Sequence, residues 1–125
     1  MGAEQEAIVR SLFDCLVAED WDGAADHYAV DATHTNPAWR EPIVGRAAIR
    51  VDEERTGSLY TNFRYRIVNM ASTDSVVLTE RIGIMTMANR DITMHLATVH
   101  ELDSDGKVSA SRVYVDLKEI EAQLA

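Results

Sequence analysis

Cysteine is nearly absent from this chain: Cys15 stands alone among 125 residues. One thiol closes no internal disulfide and completes no zinc cluster, so a reduced, buried side chain is expected. Positive charge is scarce too, with 12 Lys and Arg against 21 Asp and Glu and a formal net charge of −9. That balance repels phosphate backbones and anionic bilayers, which argues against nucleic acid and membrane partners. No run approaches the roughly 20 apolar residues of a membrane span, and Met1-Gly2-Ala3-Glu4-Gln5-Glu6 has no basic, apolar leader pattern. A cytoplasmic protein with all 125 residues in one domain is expected. HxH and HExxH spacings, a GxSxG elbow and a phosphate-binding glycine loop are all missing. Neither a metal nor a cofactor is therefore expected, and serine-hydrolase and nucleotide chemistry are set aside.

What is present changes character midway. Ile8, Val9, Leu12, Phe13, Leu16 and Val17 recur at helical spacing between Ala3 and Ala18. Asp20 and Asp22 can cap a second, shorter helix reaching Tyr28, which makes a helical hairpin. A strand over Val30 to Asn36 leads into a loop carrying Pro37, Trp39, Arg40, Pro42 and Gly45, and a third helix runs from Arg46 to about Gly57. Beyond Gly57 the period becomes two. Strands are predicted from Phe63 to a turn at Ser72-Thr73-Asp74, then over Val76 to Met87, Ile92 to Leu102 and Lys107 to Val115. The links Asn89-Arg90-Asp91 and Asp103-Ser104-Asp105-Gly106 suit tight turns, and Leu117 to Leu124 closes the chain as a helix. Helices first and strands last indicate an α+β fold, its helices covering one face of a long, mainly antiparallel sheet around a hydrophobic pocket. The sheet faces lack clean polarity, so the outer face is expected to meet a second copy in a homodimer.

Arg81 is the residue most in need of explanation. In Val76 to Met87 it shares a face with Val77, Thr79, Gly83, Met85 and Met87, while Glu80 lies on the other with Val76, Leu78, Ile82 and Ile84. On an enclosed face its guanidinium needs carboxylates, other acceptors or an anionic ligand; on an exposed edge it needs only water. Histidines supply near-neutral titration. His27 reads as a surface residue, and His95 and His100 fall on opposite faces of one strand, so at most one enters a shared pocket. His34 shares a face with Asn36, and together they could hold a water or a substrate carbonyl. Asp31 and Asp116 read as capping or solvated carboxylates. Met85, Met87 and Met94 suit a core or a hydrophobic ligand wall equally.

The order of motifs also carries a resemblance. Glu19-Asp20-Trp21-Asp22-Gly23-Ala24, His27-Tyr28, Asp31-Ala32-Thr33, Gly45-Arg46-Ala47-Ala48-Ile49 and Asp105-Gly106-Lys107-Val108 resemble the nuclear transport factor 2-like superfamily. This implies a cone-shaped α+β fold with a curved mixed sheet wrapped around N-terminal helices; the superfamily holds enzymes and noncatalytic binders alike. Val77-Leu78-Thr79-Glu80-Arg81-Ile82 and Arg112-Val113-Tyr114-Val115-Asp116-Leu117 look most like the limonene-1,2-epoxide hydrolase and SnoaL-like branches. Against the epoxide hydrolases, the water-holding Asn matches Asn36, the bridging Arg matches Arg81, and the Tyr position holds His34. Their two carboxylates do not match, since Gly83 stands for the acid and Val113 for the base. Ketosteroid isomerase is similar in fold, but its Tyr and two Asp positions fall near Leu12, Asn36 and Thr98. SnoaL-like cyclases move an acidic proton in the same cavity, where His34 or His100 could serve. The resemblance implies a cyclase, isomerase or hydrolase acting on a polyketide, terpenoid or steroid-like compound. His34, Asn36 and Arg81 are its catalytic candidates, and Tyr28, Trp39, Met85, Leu96, Thr98, His100 and Val113 its substrate-binding ones. The alternatives are a noncatalytic hydrophobic-ligand carrier and an epoxide hydrolase with relocated carboxylates, Glu54 or Asp52 then having to reach Arg81.

Overall fold

Helix α1 (Ala3–Val17) forms where the apolar stripe begins, and it buries Val9, Leu12 and Phe13. Asp20 starts α2 (Trp21–Ala25) by accepting a hydrogen bond from the Gly23 amide at 2.9 Å. The computed structural model describes residues 2–125. In it α2 stops at Ala25, short of the expected Tyr28, because Tyr28 is taken by the sheet. The His27 carbonyl accepts from the Val108 amide at 2.8 Å, Tyr28 pairs with Val108, and β1 (Tyr28–Thr35) begins there. Long-range pairing thus overrides the helical spacing of Trp21, Ala24, Ala25 and Tyr28.

The expected loop after β1 contains a short strand, β2 (Ile43–Val44), paired antiparallel with β1. Gly45 then takes φ +100, a backbone that suits glycine, and opens α3 (Arg46–Gly57). Four strands follow: β3 (Thr61–Ser72), β4 (Val76–Met87), β5 (Arg90–Leu102) and β6 (Val108–Val115). The β4–β5 turn is tighter than expected. Ala88 and Asn89 both have positive φ and close a two-residue loop across Met87 and Arg90, leaving Arg90 and Asp91 in the strand. Sheet order is β2-β1-β6-β5-β4-β3, antiparallel throughout except for the parallel β1–β6 pair.

One sheet face packs on α1, α2 and α3. Val9, Leu12, Phe13, Ala24, Tyr28, Ile49, Val77 and Val108 form its apolar core, each almost fully buried. The other face carries Leu78, Val68 and Tyr114, all exposed. Helix α4 (Leu117–Leu124), capped by Asp116 accepting from the Lys118 amide, lies along β5 where β6 has ended. Its side chains stand in for the missing strand: Glu119 accepts from the His95 amide, and Gln123 both accepts from and donates to Thr93 backbone. That satisfies an otherwise bare strand edge. Cys15 is half-buried against the core rather than fully buried. Among the described residues no helix is long and apolar enough to cross a membrane.

Candidate functional site

β4 alternates buried and exposed along its middle, and the buried residues are Val77, Thr79, Arg81, Gly83 and Met85. Arg81 therefore faces the enclosed side and is only 6% exposed. Register brings other polar groups onto the same face. Thr79 pairs with Thr98, Val77 with His100, and Ser111 of β6 stands between His100 of β5 and His34 of β1. His34 Nδ1 is 3.1 Å from Ser111 Oγ. From α3, the stripe Ile49, Glu53 and Gly57 points inward, so a carboxylate enters the interior next to apolar partners. Tyr28 donates to Glu53 Oε2 at 2.9 Å, while two bonds from the Arg46 guanidinium to the Tyr28 carbonyl fasten the start of β1.

Burial sets the protonation states here. It pushes the Glu53 carboxyl up to about 7, with nearby Asp52 adding to the rise and the Tyr28 hydrogen bond opposing it. His34 is lowered mainly by burial, against the pull of Asp52. His100 is pushed down to about 3, first by burial and then by repulsion from Arg81 and its neighbours. At neutrality His100 is therefore uncharged. Arg81 is lowered to about 10 by burial, against the influence of Tyr65, Tyr60 and Tyr28, and stays protonated. Its guanidinium carbon lies 3.7 Å from the centroid of the Phe13 ring and 5.6 Å from that of Tyr65. Among the described residues it makes no ion pair. Five buried polar atoms here have no hydrogen-bond partner in the protein: Arg81 Nε, Glu53 Oε1, Thr79 Oγ1, Thr98 Oγ1 and His100 Nδ1. Four of them lie on the enclosed sheet face and the fifth on α3, a concentration unusual for a packed core.

The expected site residues thus divide. Tyr28, His34, Arg81, Met85, Leu96, Thr98, His100 and Val113 are all buried, and Arg81, Thr98 and His100 share the enclosed sheet face. Asn36 is exposed, because β1 ends at Thr35 and the chain bends before Asn36 can continue the face of His34. Trp39 is 73% exposed and stacks with Arg40. It belongs to an open groove of about 760 Å³ that Arg81 and Leu96 line as well, together with Pro37, Glu80, His95, Ala97 and Tyr114, so the Arg81 side chain borders that groove. Glu54 and Asp52 are tied to Arg50 and Arg55 and do not pair with Arg81; the carboxylate that α3 buries is the residue between them, Glu53, on the Tyr28 hydroxyl. Gly83 offers no carboxylate, and Phe63 fills the space beside it: an added Cβ would lie 3.1 Å from the Phe63 ring. Tyr60, half-buried and influenced by both Arg81 and Glu53, also escaped the sequence reading. His27 instead joins two helices, within 2.7 Å of the Gly23 carbonyl and 2.9 Å of Ser11 Oγ. Among the described residues no group of three or more His, Cys, Asp or Glu side chains is placed to hold a metal.

Comparison with known proteins agrees with this architecture. An LEH-like epoxide hydrolase from M. tuberculosis superposes with a TM-score of 0.81 at 22% identity, over 97% of this chain and 92% of that one. A protein from Shewanella denitrificans described as a SnoaL-like polyketide cyclase gives 0.86 at 15% identity, over 96% of both chains. SalBIII, an epoxide hydrolase/cyclase-like enzyme of pyran ring formation in the polyether salinomycin, gives 0.83 at 19%, over 95% and 97%. These likenesses establish the cone-shaped fold of nuclear transport factor 2-like proteins. Comparison with curated protein sequences gives no match. The profile of the SnoaL-like domain matches residues 9–111, most of the chain from α1 through the middle of β6, and the protein belongs to the SnoaL-like domain family.

Proposed function

We propose that this chain is a proton-transfer enzyme of the cyclase or isomerase type, acting on a hydrophobic, oxygen-bearing molecule such as a polyketide, terpenoid or steroid-like compound. One observation carries the reading: Glu53 is a buried carboxyl held near about 7, in the same interior as a guanidinium that has no carboxylate partner. A carboxylate poised near neutrality both takes and returns a proton, and a fixed cation favours charge that develops on oxygen. Tyr28 occupies Oε2, which leaves Oε1 as the basic atom. In the proposed step Oε1 removes a proton from a carbon next to a substrate carbonyl, and the C–H electron pair moves into the carbonyl to give an enolate. Arg81, with the Thr79 and Thr98 hydroxyls, stabilises that oxygen. The enolate carbon then attacks a second carbonyl, whose π electrons move onto its oxygen and whose alkoxide takes the proton back from Glu53, or it recovers that proton at another carbon of the conjugated system. Proton and charge balance in both outcomes. His34, neutral and linked to Ser111, serves as a second proton carrier, and Asn36, exposed beyond the end of β1, takes no part in the step.

A noncatalytic ligand carrier is the second reading, and the absence of carboxylates at Gly83 and Val113 favours it. The experiment that separates the two is proton exchange. In deuterated buffer the wild type is expected to speed loss of the α-protons of 2-tetralone, followed by NMR, and Glu53→Gln to lower that rate by roughly 10²-fold or more. Equal exchange in the two proteins would sink the enzyme reading. We also assign the outer sheet face, with Leu78 50% exposed beside Val68 and Tyr114, to a homodimer contact. Leu78→Glu is expected to leave a monomer in sedimentation; an unchanged mass in both proteins would remove that assignment.

A further inference from the structure

We infer that the substrate carries a carboxylate, which seats on Arg81 before any chemistry begins. This rests on the acid–base reading of the same interior and names the substrate class. The enolate charge proposed above exists only during the reaction, whereas the guanidinium charge is permanent. A cation that is 94% enclosed and has no ion pair among the described residues is offset only by a group that is anionic in the resting complex. The protein supplies two aromatic rings to it, Phe13 and Tyr65, which stabilise a cation but neutralise nothing. Nε keeps an unused donor buried in the interior. Guanidinium and carboxylate match in planar geometry, and the bonds they form are charge-assisted and short.

Charge counting favours a carboxylate over a phosphate ester. Arg81 offers a single positive charge, Glu53 lies in the same interior with acid character of its own, and the remaining donors nearby are the threonine hydroxyls. A monoanion balances that set, while a dianion would leave negative charge buried without a partner. Apolar neighbours complete the description: Phe13 lies under the guanidinium, Leu96 pairs with Arg81 across the sheet, and Leu96, Trp39 and Ala97 line the groove that Arg81 borders. The predicted ligand is therefore a hydrophobic carboxylic acid that also bears a carbonyl whose α-proton reaches Glu53.

Isosteric probes test this without turnover. Phenylacetate and 2-naphthylacetate, each paired with its neutral amide, are titrated into the whole protein by calorimetry near pH 6, where the acids are ionised and Glu53 is largely protonated. At least one acid is expected to bind about tenfold or more tighter than its amide. Arg81→Met is expected to erase the preference and Arg81→Lys to retain part of it. The inference is overturned if neither acid outbinds its amide in the wild type, or if the preference survives in Arg81→Met. The two readings fail separately. A carboxylate preference without Glu53-dependent proton exchange would leave a carrier of acids, and exchange without the preference would leave an enzyme for neutral substrates.

Discussion

Two arginines on this sheet meet opposite fates. Arg112 of β6 lies on the outer side, about one-third exposed, and donates to Glu101 of β5 at 2.6 Å. Arg81 of β4 lies on the inner side with no carboxylate, over the face of Phe13. The glutamates divide in the same way, Glu101 being paired with a cation in water while Glu53 is buried on a tyrosine hydroxyl. Where solvent is near, charges pair. Where solvent is excluded, this chain keeps a cation and an acid without joining them in an ion pair. A structural core would gain from joining them or from replacing both by apolar groups. On the proposed reading, the inner arrangement forgoes stability for a site.

That contrast can be broken at each residue. The largest expected effect is on rate: Glu53→Gln should lose about 10²–10⁴-fold of α-proton exchange, whereas Glu101→Gln should lose little. Stability against pH follows next. Glu53 holds its proton more tightly folded, at about 7, than its ordinary 4.5, so its contribution is complete below about 4.5 and is lost as pH rises through about 7. The loss amounts to roughly 3 kcal/mol, and denaturant melts near pH 8 should find Glu53→Gln more stable than wild type by an amount of that order. His100 runs the other way. Its folded value of about 3 lies below the ordinary 6.5, so its contribution is present above about 6.5 and is lost as pH falls toward 3. The two slopes oppose each other between about pH 4.5 and 6.5, and Glu53→Gln should uncover the His100 slope in that window. Next in size, Arg81→Met should raise thermal stability by about 1–3 kcal/mol in the ligand-free protein, as removal of an unpaired buried charge does. The smallest effect belongs to Arg112→Met, within about 1 kcal/mol, because exposed ion pairs contribute little.

Much of this was legible in the sequence. The alternation of Val76 to Met87 placed Arg81 with Thr79 and Gly83, and the odd separation of His95 from His100 put one outside and one inside, as the structure has them. What decided Arg81 was which face the helices cover, a tertiary choice that a period-two pattern with both faces mixed does not contain. Tyr28 was placed on a helix because local spacing allowed it, yet pairing with Val108 made it the first residue of β1 and turned its hydroxyl toward Glu53. Glu53 itself had a signal that went unused. It falls four residues after Ile49 and four before Gly57, the apolar stripe of α3, while its neighbours Asp52 and Glu54 bind arginines on the same helix. Asn36 failed to follow His34 inward because face alternation holds only while the strand lasts, and β1 ends one residue too early.

The central claim is that Glu53 is a buried acid titrating near neutrality in the interior that holds Arg81. It is tested most directly by the carboxyl signal of Glu53, followed by ¹³C NMR across pH and assigned by its disappearance in Glu53→Gln. The account predicts a midpoint near about 7; a midpoint at the ordinary 4.5 would contradict it.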